Sequence, residues 1–162
     1  MNYEKALEYM KYEYNKTLGF QDDELLQKYQ DIALILKELS FGTEHFIAAL
    51  FMNILKETDA VPNEVLRYCN MEVMDAIRLM EDPGNCEKAK KLYMLKNDAI
   101  AFPVKMAEQI YKLMNTSNMT NKQITNLLHE TEDYYLKCAV GTIFYGPLFM
   151  AFVECRKKEK VY

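Results

Sequence analysis

Asn53, Lys56 and Glu57 are spaced three and four residues apart, which puts an amide, an ammonium and a carboxylate on one face of a helix. Such a trio can form an ion pair or orient a polar group. It cannot bind a divalent metal by itself, because only one of the three carries an anionic oxygen. The only histidines, His45 and His129, rule out a two-histidine metal motif within one helix. His45 falls within a turn of a helix N-terminus and reads as a surface or hydrogen-bonded core residue. His129 has Glu130, Glu132 and Asp133 beside it, but sequential neighbours point in different directions around a helix. Cys69, Cys86, Cys138 and Cys155 form no close pair and no Cys-x-x-Cys, which argues against a zinc cluster or a disulfide framework and favours a reduced, cytoplasmic setting. A nucleophilic Cys138 or Cys155 would need a partnered base, and none is visible. Glycine-rich phosphate loops, nucleophile elbows and dinucleotide fingerprints are absent.

The elements that must position these groups read as helices from end to end, since charged residues recur every few positions between apolar ones and only five glycines and four prolines interrupt. Tyr3, Ala6, Leu7, Met10 and Tyr14 make the apolar stripe of a first helix ending near Gly19. Asp22 or Asp23 can cap a second, with Leu25, Leu26, Tyr29, Ala33, Ile35, Leu36 and Leu39 inward. Thr43 is the expected cap of a third, from Thr43 to Leu55, whose run Phe46 to Leu55 is apolar nearly all round and marks a central helix. That helix should pack on both the second and the one holding Val104 to Leu113. Pro62 opens a short helix through Val65 and Leu66, another carries Val73, Ala76, Ile77 and Met80, and Asp82-Pro83-Gly84-Asn85 is a turn signal. Pro103 predicts a break or kink between about Asp98 and Val104. Thr120 is the expected cap of the next helix, and a last helix from about Ala139 to Arg156 should bend or break near Gly146-Pro147.

Composition narrows the partners. The chain of 162 residues is long enough to bury a core as one domain, and a net charge of -4 gives no general attraction to nucleic acid or anionic lipid. The basic cluster Arg156, Lys157, Lys158 and Lys160 suits a helix C-terminus. No segment reaches the ~20 apolar residues of a membrane span, and Met1 to Lys5 lacks the order of a signal peptide. Of the eleven methionines, Met71, Met74, Met80, Met106, Met114, Met119 and Met150 fall mostly at core-like spacing. Tyr3, Tyr9, Tyr12 and Tyr14 surround the first helix, so some of those rings are expected at the surface or in a homo-oligomeric contact.

Two segments carry a family resemblance. Ala48-Ala49-Leu50-Phe51-Met52-Asn53-Ile54-Leu55-Lys56-Glu57-Thr58 and Val104-Lys105-Met106-Ala107-Glu108-Gln109-Ile110-Tyr111 are similar in spacing and apolar pattern to the signature helices of the HD metal-dependent phosphohydrolases, in the branch of the guanosine tetraphosphate (ppGpp) hydrolases. There the first segment usually reads Ala-Ala-Leu-Leu-His-Asp-x-x-Glu-Asp-Thr and the second Val-Lys-Leu-Ala-Asp-x-x-x-Asn. Ile32-Ala33-Leu34-Ile35-Leu36 resembles the stretch after that family's first metal-binding His, and residues 20 to 140 or so follow the pattern.

The resemblance implies an all-α, HD-like multi-helix bundle whose chemical positions have changed. Lys28 and Met52 stand where histidine ligands would be, Asn53 and Glu108 where aspartate ligands would be, and Lys56 and Glu57 where the water-orienting acids would be. Lys112 takes the place of an asparagine that lines the family's substrate site. The implied protein is a catalytically degenerate HD-like domain, a binding or regulatory module with no cofactor, in which a lysine, Lys28 or Lys56, pairs with Glu108 or Glu57 in the space of the metal and Glu108 lies within reach of Asn53. A small phosphorylated ligand fits such a remnant cleft. The alternatives are an active phosphohydrolase on nucleotides such as ppGpp, using manganese or a similar divalent metal on unusual ligands, and a helical oligomerisation protein.

Overall fold

Ile47, Ala48, Ala49, Leu50, Phe51 and Met52 are each 1% exposed or less, so the segment has no face for water and must be enclosed by other helices. The computed structural model describes residues 1–81 and 88–159, so the expected turn at 82–85, Cys86 and Lys160 lie outside the described residues. The enclosed segment belongs to α3 (Thr43–Phe51), which packs against α1 (Tyr3–Leu18), α2 (Asp23–Glu38), α6 (Met71–Glu81) and α8 (Ala101–Met114). Between these lie α4 (Ile54–Glu57), α5 (Pro62–Val65) and α7 (Lys88–Leu95). After α8 come α9 (Asn121–Glu130), a π-helical turn over Thr131–Tyr135, α10 (Leu136–Ala139) and α11 (Tyr145–Glu159). The described residues contain no strand, and the buried apolar side chains form one contiguous cluster. None of the described helices is long and apolar enough to cross a membrane.

Local chemistry sets the ends. Gly19 stops α1 at a φ of 77°, which costs a glycine little. Asp22 caps α2 by accepting from the Leu25 amide, and Thr120 with Gln123 forms a reciprocal capping box on α9. Pro62 occupies the first turn of α5.

Three expectations need correction and a fourth holds. Gly42, not Thr43, is the cap of α3, because the extended Gly42 backbone already presents its carbonyl to the amides of His45 and Phe46. The central helix does not run to Leu55: it breaks at Met52 and Asn53, and Asn53 adopts a non-helical ψ of 10°, consistent with the preference of asparagine for helix ends. The break expected between about Asp98 and Val104 is present, since α7 ends at Leu95 and α8 begins at Ala101, and Pro103 lies in the first turn of α8, where it removes an amide that has no helical partner anyway. Asp98 Oδ1 accepts from the Ile100 and Ala101 amides to start that helix. For the same reason Gly146 and Pro147 lie in the first turn of α11, and the interruption falls earlier, at 140–144, with Gly141 at a φ of 79°.

The methionines divide. Met74, Met80 and Met106 are in the core, whereas Met71, Met114 and Met150 are exposed. The tyrosines of α1 divide too: Tyr9 and Tyr14 are buried, Tyr3 is half-buried, and Tyr12 faces solvent.

Candidate functional site

The residues in the remnant metal positions come from α2, the break between α3 and α4, and α8. Met52 is 1% exposed and its thioether is part of the core. Asn53, freed from helical geometry by the break, donates from Nδ2 to the Tyr29 hydroxyl at 3.1 Å. Tyr29, itself fully buried, donates to Glu57 Oε1, and Tyr14 donates to the same oxygen at 3.0 Å. Burial pushes the Tyr29 hydroxyl pKa up, and the Glu57 carboxylate adds to that through the hydrogen bond it accepts. Burial likewise raises the Tyr14 pKa, with Tyr29 and Glu57 reinforcing it. Both phenols therefore stay neutral donors.

On α8, Glu108 is 3% exposed. Lys105 Nζ lies 2.6 Å and Lys112 Nζ 3.6 Å from its Oε1, at the i,i+3 and i,i+4 spacings that share a helix face. Burial opposes the charge on Glu108, yet the lysines outweigh it, Lys105 most, then Lys112, with Lys28 adding, and the pKa falls to about 2. Lys28 acts on Glu108 through space and so links the α2 and α8 halves of the site, while its ammonium stands 5.4 Å from the centroid of the neighbouring Tyr29 ring on its own helix.

These contacts revise the expected pairing. Among the described residues the ion-pair partners of Glu108 are Lys105 and Lys112, not Lys28 or Lys56. Neither lysine pairs with Glu57 among the described residues, where the two phenols donate to its carboxylate. Lys56 is exposed beside Glu81, where burial raises the carboxyl pKa and the backbone of Leu55 and Lys56 and the charges of Lys56 and Arg78 oppose the rise. No hydrogen bond joins Asn53 to Glu108 among the described residues; the Asn53 Nδ2 donates to Tyr29 instead.

Sequence reasoning gave no role here to Tyr14, Tyr29 or Lys105. Lys105 was open to discovery from its spacing to Glu108. Tyr14 and Tyr29 lie 43 and 28 residues from Glu57, and no local pattern announces such a contact.

Beside Glu108 opens a cavity of about 150 Å³ lined by Leu92, Leu95, Lys105, Lys112, Tyr134 and Tyr135, with Lys91 and Glu130 also on its wall. Burial raises the Tyr135 pKa, helped by the charges of Glu108 and Glu130. Elsewhere His45 Nε2 is 2.9 Å from the Ala99 carbonyl oxygen, and His129 is exposed. Burial lifts the Cys69 thiol to about 11 and raises Cys138 and Cys155, so these sulfurs are not poised as thiolates. No three His, Cys, Asp or Glu side chains converge as a metal site among the described residues.

No protein-family model matches the chain, and no curated protein matches it in sequence. The fold has a counterpart in a solved structure of a metazoan ortholog of SpoT, described as hydrolysing ppGpp and playing a role in starvation responses; it superimposes with a TM-score of 0.69 over 99% of this chain and 96% of that one, at 15% identity. The chain thus has the all-α, HD-like fold of that structure.

Proposed function

We propose that this chain is a catalytically degenerate HD-like domain, working as a binding or regulatory module rather than as a phosphohydrolase. The observation that carries the reading is the state of Glu108, a buried carboxylate already neutralised by Lys105 and Lys112. A hydrolytic metal in this class supplies Lewis acidity and an activated water. The side chains in the ligand positions do not fit such a cation: the protonated Lys28 has no lone pair, Met52 offers a soft buried sulfur, Asn53 offers only a neutral carbonyl oxygen, and Glu108 would have to exchange two ammoniums for the metal. The lysines beside the cavity next to Glu108 support a small phosphorylated ligand as the molecule bound.

The test is elemental analysis of the purified chain together with a manganese-dependent assay for pyrophosphate release from ppGpp. The proposal expects no stoichiometric transition metal and no turnover, with saturable ppGpp or phosphate binding weakened by Lys112→Met. A stoichiometric metal, or turnover abolished by Glu108→Gln, would favour the active reading that the likeness to a ppGpp hydrolase fold otherwise suggests. Self-association through α1 rests on its exposed Tyr12. Sizing of the intact chain against one lacking residues 1–18 tests it, and identical monomeric behaviour of two folded samples would remove it.

A further inference from the structure

A second buried carboxylate lies on α1, away from Glu108, and it has no cation of its own. Glu13 is 2% exposed, makes no ion pair among the described residues, and its Oε2 is buried without a hydrogen-bond partner. Native structures leave few such groups unmatched, since a desolvated polar atom without a partner is costly and a charged one more so. Glu13 lines a cavity of about 530 Å³ between α1 and the segment following α5, a volume within the range of small-molecule sites.

The rest of that cavity has a consistent chemistry. Tyr9 forms its floor and stacks on Tyr68, with ring centroids 4.3 Å apart and planes 14° from parallel, while the other side of Tyr9 meets the Phe51 ring edge-on at 6.0 Å. The Tyr9 hydroxyl is buried, with the Glu64 carboxylate close to it. Burial raises its pKa first, and the charges of Glu13 and then Glu64 raise it further, so both carboxylates act on one point. Glu8 and Glu64 add acidic groups at the exposed rim, where Lys5 and Arg67 stand as the basic ones. The depth of the cavity therefore offers aromatic rings and a carboxyl group, and the mixed charges are confined to its mouth.

We propose that this cavity binds a small organic amine, whose alkylammonium head pairs with the Glu13 carboxylate and lies against the Tyr68 ring. An ammonium there supplies the missing partner of a buried carboxylate and meets the face of Tyr68 that Tyr9 leaves open. The site is separate from the cavity next to Glu108 and does not depend on whether that cavity binds phosphate.

The experiment titrates the full-length chain with 1,4-diaminobutane, using calorimetry and amide chemical shifts, with sodium chloride at matched ionic strength as the control. The expected result is saturable binding with shifts centred on Tyr9, Glu13 and Tyr68, weakened about ten-fold or more by Glu13→Gln, as loss of a buried charged partner requires. Failure to saturate in the millimolar range, or equal affinity of the wild type and a folded Glu13→Gln protein, overturns the proposal. Should Glu13→Gln not fold, Glu64→Gln at the exposed rim and Tyr68→Leu in the wall take its place. Each is expected to weaken binding by about three-fold or more through lost charge or ring contact, and unchanged affinity in both overturns the proposal as well.

Discussion

The carboxylate of Glu108 is buried and meets two ammoniums from its own helix, whereas that of Glu57 stands at an exposed helix end and accepts hydrogen bonds from phenols on α1 and α2. The difference follows from solvent. A desolvated charge needs an opposite charge to remain ionised, while an exposed one is already stabilised by water and needs only neutral donors. It also separates two kinds of information: the Glu108 pairs span three and four residues, and the Glu57 bonds span the whole first third of the fold.

Removing the lysine nearest Glu108 should break the contrast most strongly. Lys105→Met leaves the buried carboxylate with only the longer Lys112 contact and is expected to lower unfolding free energy in urea by about 2–4 kcal/mol. Lys112→Met, which removes an ammonium 3.6 Å away and one-third exposed, should cost less than about 1 kcal/mol. Equal costs would mean that the two lysines share the charge rather than Lys105 dominating it.

Acid should act next. The Glu108 pKa is about 2 in the folded chain against an ordinary 4.5. A depressed carboxyl contributes stability that is complete above the unfolded value and is lost as pH falls through the folded one, here roughly 3 kcal/mol between about pH 4.5 and 2. Urea midpoints of the wild type and Glu108→Gln across that window should therefore converge towards the acid end. A difference independent of pH would show that Glu108 is not held ionised by the lysines.

The Glu57 side should respond least. Tyr29→Phe strands the Asn53 amide and removes one donor from Glu57, for an expected loss of about 1–2 kcal/mol, and Tyr14→Phe about half of that because water can replace it at an exposed carboxylate. Thermal melts of the two variants measure the order. A larger loss for Tyr14→Phe would make the α1 contact, rather than Tyr29, the anchor of this network.

Much of the fold was legible because its signals are local. The apolar stripe of α2, the Asp22 cap and the Thr120 capping box each depend on residues within four positions. The break at Met52 and Asn53 was not legible, since a run so apolar offers no periodicity to interrupt and asparagine alone does not stop a helix. The π-helical turn was equally silent: buried Thr131 donates to the Leu127 carbonyl and accepts from Gln109 across the core, and the second partner lies 22 residues away. In the site, the changed ligand positions and Lys112 could be read from the motif. The partners actually chosen could not, because a motif names positions and not the direction in which a long side chain extends.

One property of α8 reaches beyond this chain. Both ammoniums that neutralise Glu108 are carried by the same fourteen-residue helix as the carboxylate itself. The compensation is accordingly largely portable: beyond the through-space help of Lys28 on α2 it needs no particular residue on α2 or α3, and those elements can drift in sequence without stranding a charge. A helix of this kind, transplanted in register into a related bundle, would carry its own counterions and leave the neighbouring positions open to new roles.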